Sequence, residues 1–510
     1  MGRLSSGWPR VRTLILFIGL SLLTRWLSLV VEILDIDETA HIVGSWVLRD
    51  GDRLYRDFVD NKPPGLYAYY ALAQIPFGTG LVSVRLLTAL LTVPLTAFAA
   101  SSFYRHGRKG LVAGLLHLLY GSAFLAHDML SASAELILLL PATWAVVCVA
   151  DETRARRVST LSAAGALLGV AALVQPQAAI WLPVLAWAAL TGEARALWPR
   201  LGRLLAVFAG FLLPLILTGL AFLAAGTAQD LVYWTLQRNV GYALNPISAQ
   251  EALVRAGRSL VPWLLAMAPL WWAWRFSRPL LTAREKSLLS LLLVLGFVPV
   301  FTGLRFFPHY FIPLGWALCV GAAPAVTAWL TRPLGRPGRV CVAATLVLVL
   351  GFQIGNAALY FGGRRIYRET DPVYREAAAR LARDPCFTGS RLFVWGWAPA
   401  FYYYAGLSGA RPASRFAVLA QAGLTDYVPG NIGRRAEPPG GQAARHWDWL
   451  LDDLERSRAT YILDTAPAGI YRWDRYPLSS FPRLDAYISE RYELLDRVDG
   501  VRVFRRLGCE

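Results

Sequence analysis

Long apolar runs separated by short polar connections fill the chain up to about residue 361. Runs of roughly 17 or more mostly apolar residues are long enough to cross a bilayer as helices. The pattern predicts eleven spans, near 13–31, 82–103, 110–127, 131–150, 160–175, 177–192, 203–225, 259–275, 287–303, 309–331 and 339–361. The fifth and sixth are short and meet at Gln175-Pro176-Gln177, which predicts a tight hairpin between them.

Basic residues gather in every second connection, and this distribution predicts the orientation of the spans, because cytoplasmic connections are rich in Lys and Arg. With the N-terminus in the cytoplasm, the inner connections carry Arg105, Arg108 and Lys109; Arg154, Arg156 and Arg157; Arg195, Arg200 and Arg203; Arg275, Arg278, Arg284 and Lys286; and Arg332, Arg336 and Arg339. The same alternation places an acidic first loop, at about 32–81, and everything after about residue 362 on the outer face.

The C-terminal part has a different pattern, in which no run could span and helix-like and strand-like patches alternate. We expect helices at 373–383 and 447–456, strands at Arg391–Trp395 and 460–463, a closing hairpin of Tyr492–Val498 and 500–505, and a loop at 436–443. Helices that alternate with strands indicate an α/β fold. The predicted protein is therefore an α-helical polytopic membrane domain, residues 1–361, with about eleven or more transmembrane helices, followed by an extracytoplasmic α/β domain, residues 362–510.

The composition supports a membrane protein. Hydrophobic residues make up 55% of 510 and charged residues 17%, with a mean hydropathy of +0.42, whereas about a quarter of the residues of soluble globular proteins are charged. The net charge of +17 is scattered over arginines at the ends of apolar runs. That pattern favours anionic lipid headgroups and argues against nucleic acid as a partner. The first apolar run is too long for a signal h-region, so we expect no cleavable signal.

The run Asp35-Ile36-Asp37-Glu38 follows directly on the first span and is the first candidate for chemistry. Acids in a loop are often simply solvated and balance the basic inner face. Beside the membrane surface, however, a carboxylate is partly desolvated, which raises its pKa and suits Asp37, with Glu38 beside it, to act as a general base. A third interpretation is that the acid-rich turn binds a hard divalent cation through oxygen.

Lys62 precedes two prolines in Lys62-Pro63-Pro64-Gly65. Proline keeps the preceding residue extended, so the ammonium points in a fixed direction, as a phosphate-binding cation requires. The alternative is an ordinary loop lysine whose prolines make a turn.

Charged residues on the same outer face complete the set of candidates. Asp128, at the outer end of the third span, is either functional, since an acid in so apolar a stretch is costly, or the N-cap of the fourth span. Arg305, His309 and Tyr310 suit an anionic headgroup, or they anchor the chain at the interface. Glu135 and Arg85 are interpreted as packing partners.

Three cysteines, Cys148, Cys319 and Cys341, fall inside predicted spans, whereas Cys386 and Cys509 lie in the outer domain. Each outer cysteine adjoins a predicted strand. If those strands are neighbours in one sheet, an oxidising compartment would join the two thiols; the alternative is two separate thiols. No metal-type spacing is present among the five.

Taken together, these motifs resemble the GT-C class of polytopic glycosyltransferases, and within it the bacterial enzymes similar to protein O-mannosyltransferases and lipid A aminoarabinose transferases. The resemblance is carried by the acidic pair, by Gly51-Asp52-Arg53-Leu54-Tyr55-Arg56-Asp57 leading to Lys62-Pro63-Pro64-Gly65, by Asp128, by Arg305 with His309-Tyr310, and by Val394-Trp395-Gly396-Trp397.

The resemblance implies an inverting transfer of a sugar from a polyprenyl phosphate to a glycan, lipid or protein acceptor at the outer face of the cytoplasmic membrane. It implies that Asp37 is the base, that Lys62, Arg305 and His309 hold the leaving phosphate, and that Asp128 orients donor or acceptor. We expect no required cofactor, although a divalent cation remains an alternative. The rival interpretation is a transporter or lipid flippase, whose sequence would more often show inverted repeats and ionisable residues at the bilayer midplane.

Overall fold

A computed structural model describes residues 8–124, 126–191, 197–240, 247–331, 335–362, 372–418, 424–425 and 442–509. Its first part is helical. The helices as far as residue 155 are α1 Trp8–Thr24, α2 Trp26–Val30, α3 Ile36–Arg49, α4 Pro64–Phe77, α5 Leu81–Leu87, α6 Val93–Phe103, α7 Gly107–Tyr120, α8 Ala126–Leu130, α9 Ala134–Ala150 and α10 Glu152–Ala155. Those that follow are α11 Val158–Val174, α12 Leu182–Leu190, α13 Leu197–Ala224, α14 Ala228–Val232, α15 Ala249–Arg255, α16 Val261–Ala266, α17 Ala268–Ser277, α18 Ala283–Phe301, α19 Ile312–Thr331 and α20 Arg336–Phe361.

Five helical stretches in the described part are long and apolar enough to cross a membrane: Leu81–Phe103, Leu197–Ala224, Ala283–Leu304, Pro308–Thr331 and Arg336–Phe361. Three further predicted spans are shorter apolar helices, Ala134–Ala150, Val158–Val174 and Pro176–Leu190. The last two meet at the predicted hairpin. The other predicted runs are divided among shorter helices, as at α16 and α17, where the chain kinks at Met267. The count of eleven spans therefore stays a prediction.

In the predicted first outer loop, the interpretation of solvated acids holds for Asp50, Asp52 and Asp57, which are exposed, and is wrong for Glu38 and Asp60. Residues 36–77 contain α3 and α4, two helices that pack on each other. Gly44 of α3 is required there, because a Cβ at this position would lie 2.5 Å from the Tyr67 ring. Glu38 is 1% and Asp60 5% exposed. These two acids are buried because α3 and α4 pack on each other and on the rest of the protein.

The helical part has two ends that differ in their charges. The basic end contains the connections α6–α7, α9–α11 and α17–α18, which approach one another: Arg105 pairs with Asp151, and Arg284 donates to the Val149 carbonyl at 2.8 Å. The site end contains the start of α3, the segment before α4, α8, the start of α9 and the turn before α19.

The C-terminal part contains a five-stranded sheet. Its elements are α21 Pro372–Leu381, β1 Arg391–Trp395, α22 Pro399–Leu407, β2 Arg411–Pro412, α23 Gln442–Arg456, β3 Tyr461–Asp464, α24 Pro482–Arg491, β4 Tyr492–Val498 and β5 Val501–Arg506. The strand order is β2-β1-β3-β5-β4, with β1 parallel to β2 and β3 and with β5 antiparallel to β3 and β4. The predicted elements of this part are present; β2, α22 and α24 were not predicted, and most of the predicted loop at 436–443 lies outside the described residues.

Cys386 and Cys509 form a disulfide bond, as predicted. The reason given for it needs correction, because β1 and β5 are not neighbours: β3 lies between them. The bridge is possible because Cys386 lies in the turn before β1 and Cys509 lies just after β5, and these two positions are at the same end of the sheet's strands. Arg505 donates to Asp384 at 3.0 Å and brings the two segments together.

The sheet-bearing part packs on α3. Tyr403 of α22 stacks on Trp46 of α3 with ring centroids 6.1 Å apart, and Gly406 is required because a Cβ would lie 2.3 Å from the Trp46 ring. Arg411 pairs with Asp50 at 2.6 Å at the C-terminal end of the helix. The helix α3, whose first turn contains Asp37, is therefore held by α4 on one side and by α22 on another.

Candidate active site

Asp37 lies in the first turn of α3. Asp35 caps this helix, since its Oδ1 accepts the Asp37 N–H at 3.1 Å. Burial raises the pKa of the Asp37 carboxyl above its ordinary value, although Lys62 and His309 act in the opposite direction. Burial also raises the pKa of Asp35, and the Asp37 charge adds to that effect. A partly desolvated carboxylate with a raised pKa is a better proton acceptor than an exposed one.

Lys62 lies in the extended segment just before α4. Pro63 is extended, with φ −67° and ψ 162°, and Pro64 begins the helix. The Lys62 carbonyl accepts a hydrogen bond from the Tyr55 hydroxyl at 2.7 Å. Gly65 allows close packing on α11, because a Cβ there would lie 2.6 Å from the Leu173 carbonyl oxygen. The backbone of Lys62 is thus held by the prolines that follow it and by the buried Tyr55.

Asp60, two residues before Lys62, is a neighbour that the sequence analysis did not single out. Its carboxylate accepts hydrogen bonds from the Tyr67 hydroxyl and from the Asn61 backbone N–H. Burial raises the pKa of Asp60 to about 6, against the opposing effects of the Tyr67 hydrogen bond and the Lys62 charge. Asp60 therefore shares the electrostatic environment of Lys62.

Asp128 and His309 pair across the protein. His309 Nδ1 lies 2.7 Å from Asp128 Oδ1, and their side chains are 14% and 6% exposed. The carboxylate orients the ring, and this contact leaves Nε2 as the atom that can face a substrate. The alternative that Asp128 caps the fourth span is wrong, because Ser133 caps α9 by accepting the Leu136 N–H.

Glu135, interpreted from sequence as a packing partner, lies in this site. It is 1% exposed, and its Oε1 accepts hydrogen bonds from Gln177 at 2.7 Å and Gln175 at 3.1 Å. The charges of His309 and Lys62 both act on it. The signal that could have found it is the polar hairpin Gln175-Pro176-Gln177, which places two amides at the outer end of apolar helices.

Arg305 and Tyr310 flank His309 on the turn before α19. Arg305 is 2% exposed. The turn reverses sharply, with positive φ at Gly303, Leu304 and Phe306. Tyr310 packs edge-on against the His309 ring with centroids 4.8 Å apart. Arg305, His309 and Tyr310 thus lie on one turn, in which Arg305 is buried; their part in binding a phosphate stays a prediction.

The acids and cations from these segments act on one another. Asp37 interacts electrostatically with Lys62, His309, Glu135 and Asp128. These five residues come from five separate places in the chain, which the fold collects at the site end. The arrangement puts carboxylates and cations side by side in a partly desolvated setting, which is what acid–base chemistry on an anionic substrate needs.

Glu38 contacts a different set of groups, although it follows Asp37 directly. Its carboxylate accepts hydrogen bonds from Arg85, including one from Nε at 3.0 Å, and from the Ala132 N–H at 2.7 Å. The pair is almost completely buried, with side-chain exposures of 2% and 0%. Asp37 and Glu38 are thus two acids with separate surroundings.

Two other features bear on what the site could bind. In the described residues, no group of three or more His, Cys, Asp or Glu side chains is arranged to hold a metal ion. An open polar cleft of about 420 Å³ lies between the end of α3 and the sheet-bearing part, lined by residues that include Asp50, Arg411 and Asp453. It is roughly 20 Å along α3 from Asp37, at 1.5 Å per residue, so it is too distant to hold a reacting group.

Solved structures share this architecture. ArnT from Cupriavidus metallidurans bound to undecaprenyl phosphate superposes with a TM-score of 0.62 at 14% identity, covering 99% of this chain and 98% of that one. Its apo state gives a TM-score of 0.60 at 15% identity, covering 98% of both chains. The oligosaccharyltransferase AglB from Archaeoglobus fulgidus, in complex with an inhibitory peptide and a dolichol-phosphate, gives 0.51 at 12% identity, covering 99% of this chain and 75% of that one.

ArnT and AglB are both GT-C glycosyltransferases. This chain has the GT-C fold. No protein-family model and no curated protein sequence matches the chain. The likeness lies in the fold and extends over nearly the whole chain, including the C-terminal part, where the sequence motifs were weak; at these identities it leaves the activity to be inferred from the residues of the candidate site.

Proposed function

We propose that this protein is an inverting glycosyltransferase that moves a sugar from a polyprenyl-phosphate donor to a glycan, lipid or protein acceptor at the outer face of the cytoplasmic membrane. The observation that carries the proposal is the cluster of Asp37, Lys62, Asp128 and His309 at one end of an apolar helical bundle, in which Asp128 is buried and the other three are partly buried. The fold supports it, because ArnT and AglB were solved with undecaprenyl phosphate and dolichol-phosphate, respectively.

The chemistry needs a base and cations. An acceptor oxygen attacks the anomeric carbon from the face opposite the phosphate and gives its proton to Asp37. The bond between that carbon and the phosphate oxygen breaks, and the polyprenyl phosphate leaves with the electron pair, so the anomeric configuration inverts. A phosphate whose charge is balanced leaves without a general acid, so cations replace one.

Each residue of the site has a role in this proposal. Lys62 and Arg305 balance the leaving phosphate, and His309 donates to it from Nε2 while Asp128 holds Nδ1. Tyr310 lies beside the same leaving phosphate. These roles require no cofactor; a divalent cation at the carboxylates is the alternative, and full activity in a chelator would exclude it.

The transporter alternative is less well supported. A transporter of lipid-linked sugars would place its charges where two halves of the molecule exchange access, near the bilayer midplane. Here the charges that act on Asp37 gather at one end of the helical part, opposite the basic end.

The test is transfer by the purified protein in lipid nanodiscs, with a panel of labelled polyprenyl-phosphate sugars and extracted envelope acceptors, and product detection by mass spectrometry. Asp37→Asn should lower the rate by about two to four orders of magnitude, the usual cost of losing a general base. Asp448→Asn, the same change at a side chain that is 66% exposed, is the matched control. Near-normal transfer by Asp37→Asn would remove the base from the proposal. Movement of labelled lipid across the bilayer without a covalent product would favour the transporter.

A further inference from the structure

The segment that joins Asp128 to Glu135 carries an acid of the site at each end, and its backbone is held by buried charges. Arg25 Nη1 donates to the Met129 carbonyl at 2.8 Å, and Arg25 Nη2 donates to the Leu130 carbonyl at 2.6 Å. Glu38 accepts the Ala132 N–H at 2.7 Å. The segment is therefore held by two charged side chains, Arg25 between α1 and α2 and Glu38 in α3.

A second arginine fixes the acid of this arrangement. Arg85, from α5, binds both oxygens of Glu38 and also donates through Nη1 to the carbonyls of Ser28 and Val31, at 3.1 and 2.6 Å. It thereby ties the end of α2 to the start of α3. The Tyr70 hydroxyl adds a hydrogen bond to the Ala132 carbonyl at 2.9 Å.

The three charges form one connected set. Arg25, Glu38 and Arg85 are 2%, 1% and 0% exposed, so removing any one leaves buried polar groups without partners. Residues 131–133 are not helical, and irregular backbone inside a bundle needs its N–H and C=O groups satisfied by the protein. Arg25, Glu38 and Arg85 together hold this stretch of backbone between Asp128 and Glu135, the two acids that must face Asp37.

We infer that Arg25, Glu38 and Arg85 are positioning residues, which set the location of Asp128 and Glu135 relative to Asp37, and that Glu38 acts through this backbone contact and not on the substrate. The proposed function assigns the chemical step to Asp37. The activity readouts below rest on the proposed glycosyl transfer, whereas the exchange readout does not.

The first measurement is hydrogen–deuterium exchange of the full-length protein in nanodiscs, followed in peptides that cover residues 129–133. Glu38→Gln and Arg25→Lys should each raise exchange in this segment at least about tenfold. The first change weakens the acceptor of the Ala132 N–H, and the second releases the Met129 and Leu130 carbonyls, so that the amides of the segment open more often. Glu152→Gln is the matched control, since Glu152 pairs with Arg156 in an exposed pair at the other end of the bundle. Unchanged exchange in the two variants would overturn the inference, whatever the protein's activity.

The second measurement separates positioning from catalysis. Glu38→Gln should lower kcat by about 100-fold, as a small misplacement of reacting groups does, with little change in KM for the donor. Its pH–rate profile should keep the acidic limb that reports Asp37, and Glu38→Asp should recover part of kcat. Loss of the acidic limb in Glu38→Gln would make Glu38 the base and overturn the inference. Loss of that limb in Asp37→Asn alone supports both proposals, whereas its persistence there contradicts only the proposed function.

Discussion

Arg156 and Glu152, at the basic end, pair through side chains that are 43% and 49% exposed, whereas Arg85 and Glu38, at the site end, pair through side chains that are 0% and 2% exposed. Exposed pairs contribute little to stability because water screens them. A buried pair costs desolvation free energy and is retained where the position of the charges matters. For these two pairs, burial distinguishes the charges at the site end from the charges in a connection that the sequence analysis predicts to be cytoplasmic.

The acids at the two ends differ in the same way. Burial raises the pKa of Asp37, whereas the backbone N–H of Arg154 and the Arg105 guanidinium lower the pKa of Asp151. Asp151 is therefore a fixed charge at physiological pH, and Asp37 is a group that can exchange a proton. Four predictions test this comparison, in order of the expected effect.

Removing one member of a pair should be costly only at the site end. Arg85→Ala leaves Glu38 as an uncompensated buried charge and should lower the free energy of unfolding by about 3–5 kcal/mol. Arg156→Ala should lower it by about 0–1 kcal/mol. Thermal unfolding of both variants, followed by tryptophan fluorescence, measures the difference. The double variant Arg85→Met with Glu38→Leu should recover part of the loss, and equal destabilisation by the two single variants would contradict the comparison.

Lysines at the two ends should differ in donor binding. Lys62→Ala should weaken binding of polyprenyl phosphate by about 2–5 kcal/mol, because a partly desolvated anion loses its matched charge. Lys109→Ala and Lys286→Ala, at the basic end, should leave the affinity unchanged. Displacement of a labelled polyprenyl phosphate in nanodiscs measures all three. Arg305→Ala should resemble Lys62→Ala, and an unaltered affinity in both would remove these residues from the phosphate site.

The cysteines offer a third contrast. The bond between Cys386 and Cys509 closes a loop with a sequence separation of 123, and such bonds typically stabilise by about 2–4 kcal/mol. Replacing both by serine should therefore lower the stability of the sheet-bearing part by that amount, measured by its susceptibility to limited proteolysis. Cys148→Ser, at a free thiol of the helical part, is the control. Equal protease resistance with and without the bond would show that the sheet is held by its core alone.

The sequence predicted much of this architecture because its signals are local. Apolar runs, the paired prolines after Lys62 and the strand at Arg391–Trp395 can each be recognised within a few residues. Asp37 was selected as the candidate base for the same reason, since it follows directly on a predicted span.

What the sequence could not supply is which distant groups meet. Glu135 was interpreted as packing because the amides that hold it lie 40 and 42 residues away. Glu38 and Asp37 were grouped as one acidic pair, since adjacent residues give no sign that Glu38 pairs with Arg85 while Asp37 is influenced by the charge of Lys62. The position of β3 between the strands beside the disulfide is likewise a property of the sheet and not of either strand.

The pH dependence of transfer should report the site end alone. Asp37 must be deprotonated to accept a proton, so the rate should fall about tenfold per pH unit below its pKa and level off above it. Because burial raises this pKa, the limb should lie at a higher pH than an exposed aspartate would give. Asp60, with a pKa of about 6 beside Lys62, should add an inflection in the same range, since its protonation changes the charge next to the phosphate.

Two variants separate these contributions. Asp60→Asn should remove the inflection near pH 6 and keep the Asp37 limb, whereas Asp151→Asn should alter neither, because the lowered pKa of Asp151 keeps it charged throughout. Steady-state rates from pH 4.5 to 8.5, about two units on either side of a midpoint near 6, measure both effects. A limb that moves in Asp151→Asn would show that the two ends are electrostatically coupled across the bundle. The distinction between the charges of the site end and those of the basic end would then fail.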